Sequence, residues 1–380
     1  MFTLSYIKQR TIPILIFCYA LFFIYWIWIY STGETTTFHN YFWGLFPQGI
    51  FPIIGAIYGF FLSRKWGVMS SSLGRAIVFL SASNFFFGIG SIIWIYYNLV
   101  GGIEIPYPSL ADVFWAFNIL FFILGVIELG KGMGAGYKLR TPLGKATLIL
   151  APIIGVSLTY FVFISIGQGG SLGFEDSTPL QIFINMYYLL GDVVIFTVIS
   201  LIYGLSYKIL GGKFKWPANI LFIGAILGYI ADAIFTFQEA QGTYYNANIG
   251  DLLFTSSVFL SVVAVGSLDI KGISSRVREE LTMFAPRADK AINNLVLEIV
   301  QRQVHIIGPV AWDEAVKVQG ITIDAQKNSI SVTGDLKVVL EQLVGKYESL
   351  FGNASLEICR EATRKFIAQV PQEQIPQILK

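Results

Sequence analysis

The strongest constraint on this chain is a series of eight apolar stretches, each about as long as a bilayer crossing. They lie at 11–30, 45–63, 74–99, 109–129, 143–166, 179–209, 216–238 and 249–268. A helix needs about 20 mainly apolar residues to cross the hydrocarbon. Backbone polar groups there must be satisfied within the segment, so helices are expected. The segments between the stretches sort by charge. Lys8 and Arg10 precede the first. Arg64, Lys65 and Arg75 lie between the second and third, and Lys131, Lys138, Arg140 and Lys145 between the fourth and fifth. Lys208, Lys213 and Lys215 lie between the sixth and seventh, and Lys271 follows the eighth. The other four loops hold no Lys or Arg, only Glu34, Glu104, Glu175, Asp176 and Glu239. Positive residues favour the cytoplasmic side, so this alternation places both termini in the cytoplasm of a multi-pass protein of the cell membrane. The run from Ile12 to Tyr30 lacks a small-residue cleavage site and reads as a retained anchor.

Charged residues are 13% of the 380, against about 25% in soluble domains. The deficit is uneven. Residues 1–271 carry 13 Lys/Arg and 11 Asp/Glu, whereas 272–380 carry 13 and 13. The expected organisation is an eight-span region over 1–270, a connecting helix over 271–303 and a small cytoplasmic α+β domain over 304–380. The fold class is thus an α-helical integral membrane protein with a compact aqueous tail. A net charge of +2 without a basic run argues against a nucleic-acid partner. Cys18 and Cys359 cannot make a disulfide framework, and they lie in different regions. His39 and His305 both fall outside the apolar stretches, which excludes bis-histidine haem in the bilayer. No metal site or cofactor is expected.

The few charges inside the spans are the candidate site. A carboxylate in hydrocarbon is turned inward, paired, or functional. Asp112 and Asp251 open spans four and eight. There Ser109 and Asn248 precede them by three residues, as in a capping box, and a first-turn acid suits the helix dipole. Capping and ligand binding are both open readings for these two. Asp192 lies near the middle of span six, and Asp232 in the outer half of span seven. With Lys and Arg confined to the loops and the very ends of the spans, the candidate hydrogen-bond partners are Asn84, Asn118, Asn185, Tyr187, Tyr188 and Tyr229. A satisfied internal network and an outward-opening pocket for a small ligand or a proton are the alternatives. Glu128 is placed to reach Lys131. Aromatic residues at span ends (Tyr25, Trp26, Trp28, Tyr30, Tyr96, Tyr97, Tyr244, Tyr245) read mostly as interfacial belts, a stacking box for an apolar ligand being the lesser reading.

The halves of the membrane region echo each other. Ile57-Tyr58-Gly59 recurs as Ile202-Tyr203-Gly204, and Asp112-Val113-Phe114 recurs as Asp251-Leu252-Leu253-Phe254. Four spans per unit would make a 4+4 parallel repeat about an axis along the membrane normal. Chance likeness of apolar strings is the alternative.

Pro106-Tyr-Pro-Ser-Leu-Ala-Asp112 at the entry of span four, Tyr187-Tyr-Leu-Leu-Gly-Asp192, Gly228-Tyr-Ile-Ala-Asp232 and Gly250-Asp251 occur in that order. Together they resemble the multi-pass N-terminal sensory membrane region of prokaryotic signalling proteins, including some diguanylate cyclases and sensor kinases. The resemblance covers residues 1–270 and implies a sensory or scaffolding module. It carries over Asp112, Asp192, Asp232 and Asp251 and names no ligand. The catalytic output motifs of those proteins, GGDEF or a phosphoacceptor His followed by an acid, do not occur here.

In the tail, Ile292, Leu295, Val296, Ile299 and Val300 make an apolar stripe at helical spacing. Gly308-Pro309 opens a short helix. The alternating segments 320–324 and 328–333 predict a hairpin turning at Ala325–Lys327. Helices follow at 335–351 and 353–368, and Pro371 and Pro376 bound a last short piece. Residues 305–311 align with 349–355, each a helix–Gly–helix corner. The tail holds no nucleotide-binding, nucleophile or metal-ligand motif. The chain is therefore expected to be non-enzymatic: a sensor or transducer whose tail binds a cytoplasmic protein or a second copy of itself. An ion or solute transporter, and a membrane anchor subunit of a complex, are the rival readings.

Overall fold

The computed structural model describes residues 11–100, 106–133, 142–167, 177–206, 215–269, 290–324, 329–366, 370 and 372–380. Among these, eight helical segments are long and apolar enough to cross a membrane. Span one is Thr11–Thr32, span two Phe38–Trp66, span three Ser72–Leu99 and span four Leu110–Gly132. Span five is Gly144–Ser165, span six Pro179–Ile202, span seven Lys215–Ala240 and span eight Ile249–Gly266. Many of the charged loop positions, among them Lys8, Arg10, Glu104, Lys138, Arg140, Glu175, Asp176, Lys208, Lys213 and Lys271, lie outside the described residues. Those that are described put Arg64, Lys65, Arg75 and Lys131 at one end of the bundle, here the basic end. Glu34 and Glu239 lie at the other, the acidic end.

Span two begins at Phe38 rather than 45, because polar residues that look like a loop are buried. Thr37 and Asn40 form a capping box. The Asn40 amide also donates to the carbonyls of Glu34 at 3.1 Å and Asn246 at 3.0 Å. His39 therefore lies in span two, at its acidic end, where its Nδ1 is 2.9 Å from the Tyr25 hydroxyl. A π-helical turn at Phe46–Ile50 joins the two parts of this span. Pro47 within it and Pro52 just after it remove backbone donors. Span five contains Pro152 and ends in a π-helical segment, Tyr160–Gly167.

Spans three and four pack along each other, as do seven and eight. Span two packs on three and six on seven, while span four also meets six and span eight meets two. Lipid-type faces are abundant: Ile14, Phe17, Ile24, Ile149, Phe161 and Phe183 are all exposed.

The tail follows the predicted order. Its first helix is Lys290–Ile307, and 271–289 lie outside the described residues. This helix is a central element of the tail rather than a free connector, since Leu295, Val296, Ile299 and Val300 are completely buried and Ile292 packs against that core. A six-residue helix, Val310–Ala315, comes next. Strands β1 (Ile321–Asp324) and β2 (Ser329–Val332) pair antiparallel, with Ile323 opposite Ile330. The turn predicted at Ala325–Lys327 lies outside the described residues. Helices Leu336–Phe351 and Asn353–Arg364 and two single-turn 3-10 helices complete the tail. Gly308 and Gly352, the two corner glycines, both have positive φ, +62° and +63°, where only glycine is free of Cβ strain.

The tail and the basic end of the bundle share one apolar core, including Leu62, Trp66, Leu73, Met133, Leu268, Ile307 and Val310. The first tail helix touches spans three and four. At Gly308 a Cβ would collide with the carbonyl oxygen of Trp66. The close approach of these two backbones is what requires glycine there. On the same end, Asp269 takes bonds from Lys65 at 2.5 Å and Tyr58 at 3.0 Å. Glu128, itself buried, accepts from Lys131 at 2.5 Å, as expected, and also from Arg75 at 2.8 Å. Arg75, at the start of span three, is thus a paired cation within a span.

Candidate functional site

The bundle encloses a cavity of about 930 Å³ reaching from the acidic-end loops into the middle of the spans. All four singled-out aspartates line it, with Asn84, Asn118, Asn185, Tyr188 and Tyr229. Glu239 is a fifth acid on its wall, and no Lys or Arg lines it among the described residues. Tyr187 does not line it. Its hydroxyl instead donates to the carbonyl of Ala116 at 2.7 Å and pins span six to span four.

The two acids at the helix starts are caps as well as wall residues. One carboxylate oxygen of Asp112 accepts from the backbone N–H of Ser109 at 2.6 Å and from its hydroxyl at 2.8 Å. The other accepts from Tyr188 at 2.9 Å. Asp251 accepts from the Ala247 N–H at 2.7 Å and from Tyr244 at 3.3 Å, while the Asn248 side chain caps the helix by accepting from Gly250 and Asp251. The two sites match in one further bond. Tyr188 of span six donates to the carbonyl of Asp112 at 3.3 Å, and Gln48 of span two donates to that of Asp251 at 3.1 Å.

Asp192 and Asp232 are different. Apart from Asn84, the partners proposed for them are engaged elsewhere. Asn118 donates to Ser83, at 2.8 Å to its hydroxyl; Tyr229 shares a 3.1 Å bond with Thr159; Asn185 bonds Tyr107; and Tyr188 bonds Asp112. The two acids instead face the cavity beside each other, from spans six and seven, within reach of one another's charge. Asn84, 3% exposed, faces the cavity with no hydrogen-bond partner among the described residues. The buried hydroxyl of Ser261, on the same wall, has none either.

Several span-end aromatics leave the belt role. Trp26 is buried and donates to the Ala247 carbonyl at 3.0 Å, holding the loop before span eight. Tyr244 and Tyr245 line the cavity. Trp28, Tyr30 and Tyr96 remain exposed, as a belt requires. At the cavity's acidic end, burial first, then the charges of Asp112 and Glu239, push the Tyr107 phenol up to about 12.

The walls also include Trp94, Trp115 and Phe235, which the sequence reading passed over. A usable signal existed in span three. Asn84, Phe87, Ser91, Trp94 and Asn98 recur at three- and four-residue intervals, and all five face the cavity. Among the described residues no group of three or more His, Cys, Asp or Glu could hold a metal ion.

No protein-family model matches the chain, and no curated protein or solved structure is similar to it.

Proposed function

We propose that the protein is a membrane sensor or transducer. The cavity takes up a signal at the acidic end, facing out of the cell, and the tail reports it in the cytoplasm, the side that the distribution of Lys and Arg favours for both termini. The observation that carries this reading is span three. One face lines the cavity, and its basic end holds the first tail helix. A ligand that prefers one arrangement of spans three and four therefore shifts the seating of the tail, through differential affinity for two states. The likeness of the aspartate motifs to sensory membrane regions supports the same assignment.

We also infer a 4+4 duplication. Exchanging the halves turns the packing of spans four and six into that of eight and two, and the bond from Tyr188 to Asp112 into that from Gln48 to Asp251. That symmetry, with acids at mid-membrane, is also what a transporter would use, so flux of solutes into reconstituted vesicles is a direct control.

The decisive test is hydrogen exchange at residues 290–315 of the full chain in lipid nanodiscs, comparing wild type with Asp192→Asn and Asp232→Asn. The expected result is altered protection of these tail amides. Identical exchange at acidic and neutral pH overturns the transducer reading, and flux that depends on Asp192 replaces it with transport.

A further inference from the structure

We infer that the cavity binds an organic ammonium ion, its cationic head beside Asp192 and Asp232 and its apolar body against the aromatic walls. This names the ligand class for the sensing site and rests on the cavity being that site.

Charge decides the sign. Five acids and no Lys or Arg line the space among the described residues. An anionic ligand would meet uncompensated carboxylates in a medium where like charges interact strongly. A neutral apolar ligand would displace water while leaving the acids without a counter-charge and the Asn84 amide and Ser261 hydroxyl without partners, which is costly. A cation relieves both, as ion partner to the acids and as a group that the Asn84 carbonyl oxygen and the Ser261 hydroxyl can solvate.

Chemistry then separates organic from inorganic cations. Metal cations need a dense shell of oxygen ligands at short range. The acids are instead spread along the wall, and no three ligating residues cluster. The intervening surface is aromatic, with Trp94, Trp115, Tyr229, Phe235 and Tyr244 on it. Ring faces attract ammonium groups, and most strongly where water is excluded. At about 930 Å³ the space suits a small-molecule ligand. Arg75, the cation of span three, is held by Glu128 at the opposite end and leaves this role open.

The test uses the full chain in phosphatidylcholine nanodiscs, with empty discs as the blank. Equilibrium dialysis compares benzyltrimethylammonium with neopentylbenzene, its uncharged isostere. Saturable binding of the cation alone is expected, weakened about tenfold or more in the Asp192→Asn, Asp232→Asn double variant. Asn84→Leu, which fills the wall without touching an acid, is expected to weaken it as well and serves if the double variant fails to fold. Equal binding of the isostere, displacement by sodium at matched concentration, or no saturable binding each overturns the proposal. Saturable binding with unchanged tail exchange defeats the transducer reading and leaves the ligand class standing. Absent binding with aspartate-dependent tail exchange does the reverse.

Discussion

Asp112 and Asp251 on one side, and Asp192 and Asp232 on the other, share one cavity and one residue type, yet they are held in opposite ways. The first two accept backbone N–H groups at helix starts and tyrosine hydroxyls besides. The second two lie inside helices, beside each other on the cavity wall, with no such donor among the described hydrogen bonds. A carboxylate bonded to a helix start is part of the scaffold, because removing it leaves buried donors without acceptors. A carboxyl with no such donor is open to any ligand that offers a better partner. The difference separates acids built into helix starts from acids left open to the cavity, a distinction that position along the span alone did not make.

The largest expected effect is at the scaffold acids. Asp251→Ala strips acceptors from the Ala247 N–H and from Tyr244, and should cost about 2 kcal/mol or more, read as thermal unfolding in detergent. Asp112→Ala should follow closely, its Ser109 cap being lost. A smaller shift, below about 1 kcal/mol, is expected for Asp192→Asn, since the amide keeps the volume and can donate to Asp232. If Asp192→Asn destabilises as much as Asp251→Ala, the distinction between the two kinds of acid collapses.

The tail repeats the contrast in water, where it can be titrated. The Asp313 carboxyl has no hydrogen bond among the described residues, and burial pushes it from 3.8 up to about 6. Glu298 accepts from Arg302 at 2.8 Å and Lys365 at 2.7 Å, and these bonds hold it below its ordinary 4.5. The signs are opposite. Native Asp313 keeps its proton longer than unfolded Asp313, so its contribution is fully present below 3.8 and is lost as pH rises through about 6. Asp313→Asn should flatten stability across that window, measured by unfolding of the full chain against pH. Glu298 contributes above 4.5 and loses its contribution as pH falls through its lower native value. Glu298→Gln should remove that acid-side slope, the smallest effect of the set, because the pair is near the surface.

The spans were legible because a bilayer asks for length and apolarity, and a sequence displays both directly. The tail's stripe at Leu295, Val296, Ile299 and Val300, and its hairpin, were legible for the same reason: each is a local period. The capping of Asp112 and Asp251 was also in view, written in Ser109 and Asn248 a few residues upstream. What a sequence does not display is the rotation of one helix against another. The meeting of Asp192 with Asp232 depends on how spans six and seven face each other. The start of span two is not legible in the sequence because Asn40 looks solvated until the loop at Asn246 folds over it, and His39 until it meets Tyr25. The docking of the tail left only one trace, a glycine at 308, which many turns would also demand.

That glycine has a thermodynamic consequence. The contact between Gly308 and the Trp66 carbonyl joins the two ends of one molecule, and linkage between ends is reciprocal. If occupancy of the cavity alters the affinity of the tail for a cytoplasmic partner by some factor, that partner alters the affinity of the cavity by the same factor. Whatever binds the tail would then tune how sensitive the cavity is to its own ligand.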